Sequence, residues 1–114
     1  MKKDSLVYIE HIIESIIKIN FYTKGYTLNS FLDSSLVQDA VIRNFEIIGE
    51  ATKNLSIEFR TKYPKIEWKK IAGMRDKLIH DYIGVDLFAV WAVVEDILPN
   101  LLIELQNIKN NHSQ

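Results

Sequence analysis

Ile9-Glu10-His11-Ile12-Ile13-Glu14-Ser15-Ile16-Ile17-Lys18-Ile19 decides the fold, because it can be read in two ways. So many β-branched residues argue locally for a strand. A strand would alternate apolar and polar positions, whereas Ile9, Ile12, Ile13, Ile16 and Ile19 recur at three- and four-residue steps. Glu10, Glu14 and Lys18 fall opposite, so the pattern is one helical face. It persists from Asp4 to Tyr22, about five turns, and that length outweighs the local strand preference. Asp4 or Ser5 supplies the N-cap, and Gly25 closes the helix. His11, beside Glu10 on the solvent side, has no second histidine near it to make a metal site.

The same period governs the rest of the chain. Thr27-Leu28-Asn29-Ser30 opens a short helical piece carrying Phe31 and Leu32, and Asp33-Ser34-Ser35 reads as a turn and new cap. A second long helix is predicted from about Leu36 to Leu55, with Val37, Val41, Ile48 and Leu55 as its stripe and Asn44 and Ala51 on the flank. Asp39, Arg43, Glu46 and Glu50 line the other side at spacings that favour ion pairs. Gly49 sits mid-helix, where it costs about 1 kcal/mol relative to alanine, which points to a close helix crossing. Ser56 to Tyr63 forms one or two turns ended by Pro64. Trp68 reads as a core anchor, and Gly73 as a helix-stopping residue. Gly84-Val85-Asp86 is a break and an N-cap for the last long helix, whose apolar side is Leu87, Trp91, Val94, Leu98, Leu101 and Leu105. Pro99 should kink or restart it. The expected architecture is all-α: an antiparallel bundle of about four to five helices in one domain over residues 1–109, with a frayed tail over residues 110–114.

Composition narrows the function classes. The 114 residues suit a single core, and 47% hydrophobic with 25% charged residues is an ordinary globular balance. No apolar run approaches the roughly 20 residues that span a bilayer, and Met1-Lys2-Lys3-Asp4 does not resemble a signal peptide, so a cytoplasmic protein without membrane contact is expected. Cysteine is absent, which excludes disulfides and thiolate metal sites. A net charge of -1 makes the whole surface no generic polyanion binder. Yet Arg60, Lys62, Lys65, Lys69, Lys70, Arg75 and Lys77, half of the basic residues, fall between positions 60 and 80 against only Glu67 and Asp76. Such a patch can steer a phosphate-bearing ligand, with Lys69, Lys70 and Lys77 as candidate RNA contacts. On charge alone, a solvated lysine face fits equally well.

The chemistry-bearing stretch is Gly73-Met74-Arg75-Asp76-Lys77-Leu78-Ile79-His80-Asp81-Tyr82-Ile83-Gly84. If residues 74–82 are helical, Arg75, Ile79 and Tyr82 share a side, and His80 lies about 140° round from Arg75. One helix therefore does not set the arginine against the histidine. A second copy facing it across a two-fold axis would bring both into one cleft. Histidine titrates near neutrality and serves as general base or acid. Arginine stays charged and stabilises charge developing on phosphate oxygens. Asp76 could fix the histidine's tautomer. The set suffices to cleave RNA without a metal or cofactor, whereas a metal nuclease would want several convergent carboxylates. The spacing Arg-x-x-x-x-His is weak by itself, and an arginine paired to Asp81 or Glu50 beside a core histidine is its structural alternative.

Three blocks in order make the pattern specific: Arg43-Asn44-Phe45-Glu46-Ile47-Ile48-Gly49-Glu50-Ala51, then Trp68 through Tyr82, then Gly84-Val85-Asp86. Together they closely resemble the HepT-like branch of the HEPN superfamily, from the first helix to Leu98. The resemblance implies a small helical bundle that dimerises with the R-x-x-x-x-H-x-Y motif of each protomer at a shared cleft. It implies a metal-independent endoribonuclease, the toxin of a type VII-like toxin–antitoxin pair. The partner would be a minimal nucleotidyltransferase antitoxin that uses ATP to place AMP on the motif tyrosine. Residue by residue, Arg75 and His80 match the catalytic pair, Tyr82 the modified tyrosine and Asp76 the polar residue inside the motif. Arg43, Asn44 and Glu50 fall in the other shared block and would line or brace the cleft. Because Arg75 and Tyr82 share a helix side, an adenylyl group on Tyr82 would occupy the phosphate site.

Two other readings stand beside this one. A non-catalytic subunit could hold a nucleotide or substrate for a partner nucleotidyltransferase, Arg75 and His80 binding phosphate without cleavage; the sequence pI of about 6.3 favours it. A helical dimerisation module could use the polar motif only to specify its interface. The intact motif and the basic stretch favour the ribonuclease.

Overall fold

The computed structural model describes residues 4–79 and 86–112, and of these the side chains of Arg75, Lys77, Leu78, Ile79 and His112 are outside the description. Among the described residues the chain is all-helical, in seven segments: α1 (Ser5–Thr23), α2 (Leu28–Leu32), α3 (Ser35–Lys53), α4 (Ile57–Lys62), α5 (Trp68–Ile79), α6 (Leu87–Asp96) and α7 (Leu98–His112). The expected four to five helices become seven for two reasons. The short pieces α2 and α4 form separate, capped turns. The last helix breaks at Ile97, two residues before Pro99, whose ring cannot donate to the preceding turn.

Caps fall where side chains can take the orphan amides of a first turn. Asp4 accepts from Leu6 N, Ser34 from Val37 N, Ser56 from Phe59 N and Asp86 from Ala89 N. Thr27 and Ser30 form a reciprocal capping box at α2. Gly25 follows α1 at φ 80, a left-handed conformation that suits glycine. Gly73 behaves otherwise. It lies inside α5 and continues the helix that it was expected to stop. A stopping glycine needs positive φ and unpaired carbonyls behind it, and here five helical residues precede Gly73 and six follow within α5. Of the tail expected to fray over residues 110–114, residues 113 and 114 lie outside the described residues. The helix runs to His112, its last turns held by Ile108, which is buried.

The core confirms the helical reading of the isoleucines: Ile9, Ile12, Ile13, Ile16 and Ile19 are all buried. They meet α3 on one side, through Val41, Phe45 and Ile48, and α7 on the other, through Leu98, Leu101 and Leu105. Replacing any one by alanine would cost about 2–5 kcal/mol. Directions follow from polar contacts. Ser56 N comes within 3.5 Å of Ser5 Oγ, so the end of α3 meets the start of α1. Lys109 Nζ lies 3.9 Å from Glu10 Oε1, so the end of α7 also lies near the start of α1. α1 is thus antiparallel to both neighbours. Phe31 of α2 fills the far end of the core, its ring 5.0 Å from that of Trp91. Among the described residues no helix is long and apolar enough to cross a membrane.

Candidate active site

Two helices carry the candidate residues that are described, α3 and α5, and they pack against each other. A small staple sets their relation. At the C-terminus of α3, where carbonyls lack helical partners, Arg60 Nη2 donates to Thr52 O at 2.9 Å and to Lys53 O at 3.1 Å. The carbonyl of Arg60 in turn accepts from Trp68 Nε1 at 3.2 Å, and Tyr63 O accepts from the same N–H at 3.0 Å. Trp68 is the first residue of α5, buried, with the Phe59 ring at its edge 6.2 Å away. One arginine and one indole therefore tie the end of α3 to the start of α5 through α4. A charged donor on these two carbonyls, of which Thr52 O also accepts from Leu55 N, is worth roughly 1.5–3 kcal/mol.

From that anchor α5 runs on to carry Arg75, Asp76 and Lys77 on its backbone. The side chains of Arg75 and Lys77, and all of His80 and Tyr82, lie outside the described residues. The Asp76 carboxylate is described: its Oδ2 is 3.9 Å from Lys53 Nζ at the end of α3. Lys69 and Lys70 are exposed on the first turn of α5. They differ, because Glu67 lies 2.7 Å from Lys70. Its hydrogen bond and charge hold the Lys70 ammonium above the ordinary lysine range.

The three α3 candidates separate. Asn44 is buried; its Nδ2 donates to Ala40 O at 2.9 Å, and its Oδ1 is buried with no hydrogen-bond partner among the described residues. Arg43 and Glu50 are exposed and line a groove with Tyr8 and His11 of α1. The His11 ring stands edge-on to Tyr8 at 6.3 Å. A second, larger groove separates α5 from the last two helices, with Ile71, Gly73 and Met74 on one wall and Val93, Ile97 and Leu101 on the other. Sequence reasoning passed over Lys53 and Arg60. Arg60 was counted as a surface charge, and no local pattern marks an arginine that will turn back onto carbonyls seven and eight residues earlier.

Among the described residues the chain is a small all-helical protein whose polar motif begins on α5, at Arg75 and Asp76. Compared with known proteins, it matches the family model described as HepT-like, Ribonuclease HepT-like, over residues 12–108, which include Arg75, His80 and Tyr82. The chain belongs to the HepT-like ribonuclease family. It is 40% identical over 109 residues, 96% of this chain and 99% of the relative, to the "Probable ribonuclease HepT" of Thermococcus cleftensis. It is also 53% identical over 108 residues to the "Gamma-glutamylcyclotransferase and putative RNase MJ0434" of Methanocaldococcus jannaschii; that match covers 95% of this chain and 49% of the relative. The chain thus spans about half the length of that relative. No solved structure matches it.

Proposed function

We propose that this protein is an endoribonuclease that cleaves RNA without a metal ion, Arg75 and His80 forming the catalytic pair. The observation that carries the reading is the family match across residues 12–108, which contain the whole R-x-x-x-x-H-x-Y motif. His80 takes the proton of a 2′-hydroxyl, whose oxygen attacks the adjacent phosphorus. Arg75 stabilises the charge that gathers on the phosphoryl oxygens, and the 5′-oxygen leaves with a proton. The protein works as a homodimer whose shared cleft combines motif residues of both copies, because the sequence spacing, read as a helix, would set Arg75 and His80 on neighbouring sides. Arg43, Asn44, Glu50 and Asp76 brace that site, and Lys69, Lys70 and Lys77 lead RNA to it.

The protein serves in the cytoplasm as the toxin of a type VII-like toxin–antitoxin pair. A minimal nucleotidyltransferase antitoxin silences it by moving AMP from ATP to the Tyr82 hydroxyl, releasing pyrophosphate. The added phosphate neutralises Arg75, and the nucleoside fills the space of the substrate. RNA cleavage in the presence of a chelator, compared with His80→Ala, tests the chemistry. Native protein should cut and the variant should lose about a hundredfold or more of the rate; loss of native cleavage on chelation would sink the metal-free mechanism. Silencing of Tyr82→Phe by the partner enzyme and ATP would sink the proposed control point. The near-neutral pI favours one second reading, a non-catalytic subunit holding substrate for the nucleotidyltransferase. Native protein that binds RNA and leaves it intact would support it.

A further inference from the structure

We propose that Lys62, Lys65 and Lys69, at the corner between α4 and α5, grip the phosphate backbone of single-stranded RNA through residues outside the motif. The inference rests on the reading of the protein as one that acts on RNA, and deepens it. The fold sorts the basic stretch that begins at Arg60. Arg60 turns back onto Thr52 O and Lys53 O, and Lys70 is engaged by Glu67 at 2.7 Å. Lys62, Lys65 and Lys69 are exposed, and among the described residues none of them forms an ion pair. Glu67 is the one carboxylate in sequence between Phe59 and Arg75, and Lys70 already holds it. Lys62 Nζ stands 5.8 Å from the centre of the Tyr63 ring, a contact that steadies the ammonium and leaves its charge uncancelled. The corner is fixed before any ligand arrives. The Trp68 indole donates to Arg60 O and Tyr63 O, Ile66 N donates to Tyr63 O at 3.3 Å, and Trp68 N to Ile66 O at 2.9 Å. A set backbone lowers the entropy lost when three lysines close on one strand. Three cations within eight residues of chain suit a strand that repeats one negative charge per nucleotide. The aromatic rings here pack inward: Trp68 is buried, and Phe59 and Tyr63 lie against the core. Contact therefore runs through phosphates rather than stacked bases, and takes little notice of base sequence.

The test measures binding apart from cleavage. The probe is a short single-stranded DNA, which lacks the 2′-hydroxyl that cleavage needs, titrated with the full chain over a range of salt. Each single-strand phosphate contact adds about 0.7 to the log–log salt slope, so three add about 2. The triple variant Lys62→Gln, Lys65→Gln, Lys69→Gln should flatten the slope by about that amount and weaken binding roughly fiftyfold at about 0.15 M salt. Its melting temperature should stay native, since all three side chains are exposed. The triple arginine variant, which keeps the charges, should keep the native slope and affinity. A native slope in the glutamine variant overturns the inference, and so does an arginine variant that loses as much as the glutamine one. Native protein that does not bind the DNA also overturns it, and leaves an acidic protein surface as the partner for the corner. Native protein that binds through the corner yet leaves RNA intact supports the grip and overturns the ribonuclease reading.

Discussion

Toward α3, the helix that carries Arg75 is tied down; toward α6 and α7 it borders open space. On the first flank the Trp68 indole donates to two carbonyls and the Arg60 guanidinium spans two more. On the second flank a groove runs between α5 and the last helices, and among the described residues a Cβ added at Gly73 would meet no heavy atom within 4 Å. The difference shows how a short helix can be placed accurately and still be approached. Its position is set by one end and one side, and the other side stays accessible to a ligand.

The asymmetry makes graded claims. The largest effect is expected at the anchor: Trp68→Ala should cost about 3–5 kcal/mol in urea unfolding, since it removes a buried ring and the indole N–H that joins two carbonyls. Met74→Ala, half-buried on the groove wall, should cost about 1–2 kcal/mol. Equal losses would erase the distinction between the flanks. Arg60→Ala should cost about 1.5–3 kcal/mol by unpairing the end of α3. Gly73→Ala should stabilise by about 0.5–1 kcal/mol, because alanine lowers the entropy of the unfolded helix and its methyl meets empty space. A melting temperature that falls instead would mean that the groove closes on α5 in solution. The smallest effect separates the two lysines of the first turn. Lys69→Ala should flatten the salt dependence of RNA affinity by about 0.7 in log–log slope for one lost single-strand contact. Lys70→Ala should flatten it less, since Glu67 already occupies its ammonium.

The long helices were legible because burial repeats. Each isoleucine of the α1 stripe is buried, and Asp4, Ser34, Ser56 and Asp86 cap the helices as their side-chain oxygens suggest. Pro99 did restart a helix. Gly73 misled, because a glycine marks a helix end only where the backbone turns left-handed, as at Gly25, and composition does not carry φ. Phe45 was passed over although it is buried beside Val41; its place one turn on was the available signal. Of the candidate site, the motif was legible as a spacing and its setting was not. Arg43 and Glu50 face a groove shared with α1, while Asn44, next in sequence to Arg43, is buried. One step along a helix turns a side chain by about 100°, so neighbours within a shared block need not share a site. The staple was invisible because Arg60 reaches backbone atoms, which every sequence offers alike.

The two-sided burial of α1 also has a consequence during synthesis. α1 leaves the ribosome before both of its neighbours, and α7 follows long after α3. A nascent chain that ends before Leu98 can cover the isoleucine strip with α3 alone, and the flank that meets Leu101 and Leu105 stays bare. That strip is β-branched and apolar, the composition that pairs edge to edge between chains when no helix covers it. Products truncated before α7 should therefore aggregate, while completion of that fifteen-residue helix covers the strip. Translation speed between α3 and α7 becomes a determinant of yield.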